Sequence, residues 1–108
     1  MNDIPDVIIL RYAKQISVEK QIHLVPSTLA FFVFLVHLFE KEAEWSAERG
    51  LHFVKYSIRE FANLAQMSHI FEALKILDEC DLITREKEGK AYITYMDLSV
   101  FEKLEERS

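Results

Sequence analysis

Residues 57–95 read SIREFANLAQMSHIFEALKILDECDLITREKEGKAYITY, and the order of patterns within them decides the fold. Ser57-Ile58-Arg59-Glu60 has the form of a capping box, in which a serine hydroxyl and a glutamate satisfy the free amides of a helix start. The helix it opens puts Ile58, Phe61, Ala62 and Ala65 on one side. Gln66-Met67 makes a turn and Ser68 is placed to cap the next helix. Over residues 69–80, Ile70, Ala73, Leu74 and Leu77 keep the i, i+3, i+4, i+7 spacing of a helix with one buried face. Leu82–Glu86 and Ala91–Tyr95 then read as strands joined by Lys87-Glu88-Gly89-Lys90, with Gly89 at the positive-φ position of a hairpin turn.

Working outward, Leu51–Tyr56 is a short strand ahead of the capping box. Further upstream Pro26 breaks the chain, and Ser27 or Thr28 caps a long helix running to about Ala47. Its first turns are apolar nearly all round, from Leu29 through Phe31, Phe32 and Phe34 to Phe39, so it must be covered on nearly every side. Glu48-Arg49-Gly50 ends it, with Gly50 as a left-handed stop and Trp45 as an anchor for the following chain. Downstream, Ser99-Val100-Phe101-Glu102 is a second capping box opening a terminal helix. In residues 1–25, Val7–Leu10 fits a strand or a helix start equally well, and Ser17 is read as capping a short turn. The organisation expected is an extension over 1–26, a candidate for dimerisation, and one main domain over 27–108.

FANLAQMS, followed by EALKILDECDLITREKEGKAYITY, resembles the winged helix-turn-helix DNA-binding domains, a group that includes transcription regulators. Asp81-Leu82-Ile83 stands where that family has a Gly-Leu-Ile exit from its second helix. WSAERGLHFVKYSIREFANLA is similar to the approach to this motif in plasmid replication-initiator amino-terminal domains, and TYMDLSVFEKLEE to the tail of DnaD-type domains. The resemblance runs from about Ser27 onward. It implies an α+β fold, mostly α, with a two-strand wing and an extra terminal helix. In function it implies a non-enzymatic homodimeric regulator that reads duplex DNA with helix 69–80 and wing 83–95. Two alternatives stand beside that: a DNA-binding protein of plasmid or viral replication or partition, and a protein-interaction module without DNA. Two departures are visible. Ten residues separate Phe61-Ala62 from Ala73-Leu74, fewer than the family spacing, and His69-Ile70-Phe71 replace its small polar and basic residues.

Carried over residue by residue, the resemblance implies DNA contacts at Lys75 and His69, with Ser68 at the helix start. It implies wing contacts with phosphate or the minor groove at Arg85, Lys87 and Lys90, and backbone contacts at Lys55, Ser57 and Arg59. The competing reading is a solvated helix face and a charged turn that keeps a hairpin in water. Phe31 and Phe34 of the long helix, with Phe101 and Leu104 of the last one, are the candidate dimer interface, since one domain of this size can hardly cover so much apolar surface.

Charge weighs against a simple DNA reading. The 108-residue chain carries a formal charge of −5. Between Lys55 and Lys90 the bases are Lys55, Arg59, Lys75, Arg85, Lys87 and Lys90. The acids there outnumber them by one: Glu60, Glu72, Asp78, Glu79, Asp81, Glu86 and Glu88. Phosphate neutralisation supplies most non-specific affinity, so a monomer is expected to bind weakly, and dimerisation would double the contacts.

Enzyme chemistry finds no motif. His23, His37, His52 and His69 have no metal-ligand spacing with Cys80, there is no glycine-rich phosphate loop, and no metal or cofactor is expected. No cluster of residues points to a small-molecule effector. Cys80, the single cysteine, reads as a small buried filler and excludes an internal disulfide. MNDIPDVIIL does not read as a secretory signal, and LAFFVFLV is too short to span a bilayer. A cytoplasmic protein without membrane contact is the expectation.

Overall fold

The computed structural model describes residues 3–89 and 91–107, the side chain of Arg107 excepted. The described chain runs α1 (Asp6–Lys20), α2 (Pro26–Glu42), β1 (Glu44–Ser46), β2 (Leu51–Val54), α3 (Ile58–Ala65), α4 (Ile70–Glu79), β3 (Thr84–Glu88), β4 (Ala91–Met96) and α5 (Ser99–Arg107). It is an α+β fold, mostly helical, in which the strands form one antiparallel sheet of order β1-β2-β4-β3.

α2 is the centre of the core. Phe31, Phe32, Leu35, Val36, Leu38 and Phe39 are all buried, because α1, α4 and β2 pack around it. Burying these side chains supplies the main driving force, each worth roughly 1.5–3 kcal/mol relative to exposure. The helix stops at Glu42, short of the Ala47 expected from sequence. Residues 44–46 turn back as β1 and pair with β2, so Gly50 (φ +66°) serves the hairpin turn and not a helix end. Its amide donates to the Ser46 carbonyl. Trp45 is 59% exposed on this edge strand, its ring 5.0 Å from that of His52.

The segment before Pro26, expected as an extension, forms α1. Ile8, Ile9 and Ala13 enter the same core as α2, and α1 also packs on α5. Val7–Leu10 is therefore helical. Ser17 lies inside α1, near its end, and its hydroxyl donates to the Ile22 carbonyl across the turn.

The capping box at Ser57 forms on both sides: Ser57 Oγ accepts from the Glu60 amide and Glu60 Oε1 from the Ser57 amide, each at 3.1 Å. α3 ends on Gln66 in the left-handed conformation (φ +54°). The cap of α4 is His69 (φ +58°) and not Ser68, and the His69 side chain makes no capping hydrogen bond. Ile70, Ala73, Leu74 and Leu77 are the buried face of α4, as their spacing requires. Leu82 and Ile83 are plugged into the core before the sheet resumes, which delays β3 by two residues from the expected Leu82 start. Gly89 takes the positive φ (+62°) of the β3–β4 turn. At α5 the helix start is held by Asp97, whose Oδ1 accepts from both the amide and the hydroxyl of Ser99, in place of the expected serine cap.

Candidate nucleic-acid interface

The alternation of a strand sorts the charges of the β3–β4 hairpin onto two sides. Arg85 pairs with Thr94 and Lys87 with Tyr92, on the side that carries the buried Val54, Thr94 and Met96 and turns toward the helical core. Glu86 and Glu88 point to the opposite face, with Ile93, Tyr95 and Phe53. The acids of this hairpin therefore lie on the opposite face from its bases. Glu86 is further tied up by Arg49 of the β1–β2 turn, whose guanidinium bonds its carboxylate and lies 5.0 Å above the Tyr95 ring. That hydrogen bond raises the Arg49 pKa against desolvation, and the charge of Glu86 adds to it.

Arg85 is not the exposed wing base expected from sequence. Its side chain is half-buried, with the guanidinium carbon 4.5 Å from the centre of the Tyr92 ring. Nε and Nη2 are buried without a hydrogen-bond partner, and burial lowers its pKa despite Asp78 nearby. Arg85 lies beside the Asp78 carboxyl at the end of α4. Burial raises the Asp78 pKa, and Arg85 opposes that shift. Arg85 thus packs the base of the hairpin onto the end of α4, which leaves Lys87 as the exposed base on that side. Lys90 lies outside the described residues.

On α4 the outward line is Glu72, Lys75 and Glu79, all exposed. His69 is exposed at its start, and Ser68 is exposed just before it. Phe71, to which sequence reasoning gave no role, is 54% exposed on the flank of this line. Lys55 and Arg59 are exposed on either side of the Ser57 cap, Lys55 with its Nζ 6.0 Å from the Phe53 ring centre. The Ser57 hydroxyl is already engaged by the capping box, so an anion reaching α3 would meet the backbone there.

The expected dimer residues are placed differently. Phe31 (0% exposed) and Phe101 (1%) are covered inside the single chain, by Phe61 and Phe34 in the first case and by Tyr12 and Phe32 in the second. Neither has surface to offer a second copy. Phe34 and Leu104 keep part of theirs.

Elsewhere, His37 sits between two carboxylates, Nε2 2.6 Å from Asp6 Oδ1 and Nδ1 3.1 Å from Glu40 Oε1. Glu40 also accepts from the Ile4 amide at 3.0 Å, so this knot fixes the start of α1 to the second half of α2. Cys80 is buried at the end of α4, where burial raises its thiol pKa. Among the described residues no group of three or more histidine, cysteine or acidic side chains is arranged to hold a metal ion, and no helix is long and apolar enough to cross a membrane. Compared with protein-family models, with curated proteins and with solved structures, the chain matches none.

Proposed function

We propose that this chain is a non-enzymatic DNA-binding protein of winged helix-turn-helix type, which holds duplex DNA against α4 and the β3–β4 hairpin. The observation that carries the reading is the sorting of charge in that hairpin: Lys87 is exposed on the side of the half-buried Arg85, and Glu86 and Glu88 lie on the other. A duplex approaching α4 would meet Lys87, Lys75 and His69 without meeting the wing acids.

The order α2-β1-β2-α3-α4-β3-β4, with β2 paired to β4, supports the same reading. So does Asp81, which adopts φ +61° at the position where the resemblance has glycine. Glu72 and Glu79 flank Lys75 and oppose phosphate, which predicts weak binding by one copy and makes a homodimer the working unit. A regulator of transcription is the first use we assign; replication or partition is the second.

Exposed Phe71 beside Glu72 and Lys75 favours one rival, a module that docks another protein through the same helix. Titration of labelled random duplex at several salt concentrations separates the two. The DNA reading expects binding that falls with salt, and Lys75→Glu and Lys87→Glu each lowering the slope of log affinity against log salt by about 1. No binding at low salt, or variants that behave as wild type, would transfer α4 to the docking reading.

A further inference from the structure

α1 and α2 run in opposite directions, since Asp6 at the start of α1 meets His37 in the second half of α2. Between them lies an open groove of about 460 Å³, lined by Asp6, Leu10, Lys14, Leu29, Ala30 and Val33. Leu10, Leu29 and Val33 are only half-buried. Val7 (57% exposed) and Val25 (40%) add apolar surface on neighbouring turns. This is the side of α2 turned away from its buried face, and among the described residues it is left open.

Charge is arranged on this groove in a particular order. Asp6, Leu10 and Lys14 are spaced i, i+4, i+8 along one ridge of α1, so an acid, an apolar side chain and a base follow one another over about 12 Å. Such a ridge is complementary to its own inverted copy. A two-fold axis through Leu10 sets leucine against leucine and brings each Asp6 opposite a Lys14, twice over, as an isologous interface requires. The charged groups are open to this use. Lys14 has no ion-pair partner among the described residues, and Asp6 gives only Oδ1 to His37.

We infer that the occupant of the α1–α2 groove is a second copy of this chain, docked with the two α1 helices antiparallel across a two-fold axis. The inference deepens the homodimeric part of the proposed function and replaces the buried Phe31 and Phe101 with a surface that is free. α4 packs on the buried side of α2, so the interface leaves α4 and the β3–β4 hairpin uncovered in both copies.

Sedimentation equilibrium of the full chain over a wide concentration range tests it, with far-ultraviolet circular dichroism confirming that each variant is folded. The wild type is expected to dimerise. Lys14→Asp faces each Asp6 with a second acid and is expected to raise the dissociation constant about ten-fold or more. The exchange variant carrying both Asp6→Lys and Lys14→Asp restores opposite charges and is expected to recover most of that loss. Leu10→Glu is expected to leave a folded monomer. A wild type that stays monomeric overturns the inference, as does a dimer indifferent to Leu10→Glu and Lys14→Asp, or an exchange variant no tighter than Lys14→Asp alone. A monomer that still binds duplex would overturn this interface alone, whereas a dimer that ignores duplex would overturn the DNA reading alone.

Discussion

Arg85 lies opposite Thr94 in the β3–β4 ladder, and that register turns its guanidinium inward over the Tyr92 ring. Two of its nitrogens and Thr94 Oγ1 are buried without partners. A buried donor left unsatisfied costs about 1–3 kcal/mol, which offsets much of what the stacked stem contributes. Arg85→Met keeps the stem and removes the donors. It is expected to change stability by less than about 1 kcal/mol, read as a small shift of the urea midpoint at constant m. The same variant should leave the salt slope of duplex binding close to wild type, in contrast to Lys87→Glu.

Phe31 sits at 0% exposure against Phe61, in a T-shaped pair with ring centres 6.1 Å apart. Phe31→Ala removes a large buried side chain and leaves a cavity, at a cost of about 3–5 kcal/mol. For a domain with a total of about 5–15 kcal/mol this is enough to bring much of the population near unfolding. The loss should be the same in dilute and concentrated protein, measured by denaturant titration at two chain concentrations. A loss that grows with concentration would return Phe31 to an interface.

Stability at the α4 exit turns on Asp81, which holds φ +61° and pairs with Lys20 at 2.8 Å. Aspartate tolerates the left-handed region better than most residues, but glycine occupies it without strain. Asp81→Gly is expected to shift the thermal midpoint little, because relief of strain opposes the lost ion pair and the greater freedom of the unfolded chain. Asp81→Val, β-branched in the same conformation, should lower the midpoint clearly. Equal losses in the two variants would mean that the pair with Lys20, and not the backbone, is what matters at this position.

The stretch from Ser57 to Tyr95 was legible because its signals are local: a capping box, one helical stripe on α4 and a glycine at a hairpin turn. What was hidden depends on contacts far apart in the chain. α1 has no strong polar-apolar division of its own, and its identity is settled only when Ile8, Ile9 and Ala13 meet the core. α2 gives way to β1 because residues 44–46 gain a strand partner in β2, which helix periodicity cannot reveal. The candidate site was legible as a set of bases but not as a geometry. A list places Arg85 with Lys87 and Glu86 between them; strand alternation separates the acids, and pairing with Thr94 then draws Arg85 inward. Arg49 was missed altogether, because a base at one hairpin tip that pairs with Glu86 two strands away leaves no signal in sequence spacing.

His37 links α1 to α2 and makes the stability of that joint depend on pH. Burial lowers its pKa, but hydrogen bonds from the ring to Asp6 and Glu40 outweigh that, and the net direction is upward. A histidine whose folded pKa is raised binds its proton more tightly in the native state. Its contribution is therefore complete below the unfolded value of about 6.5 and is lost as pH rises through the higher folded value. The contribution should be modest, because the side chain keeps 37% of its exposure and water screens the pair. The urea midpoint of wild type minus that of His37→Gln should be largest near about pH 6 and shrink toward about pH 9. Taking the difference between variants removes the titration of the other groups. A difference that stays flat over this range, or grows with pH, would show that the imidazole is held in its neutral form between the two acids.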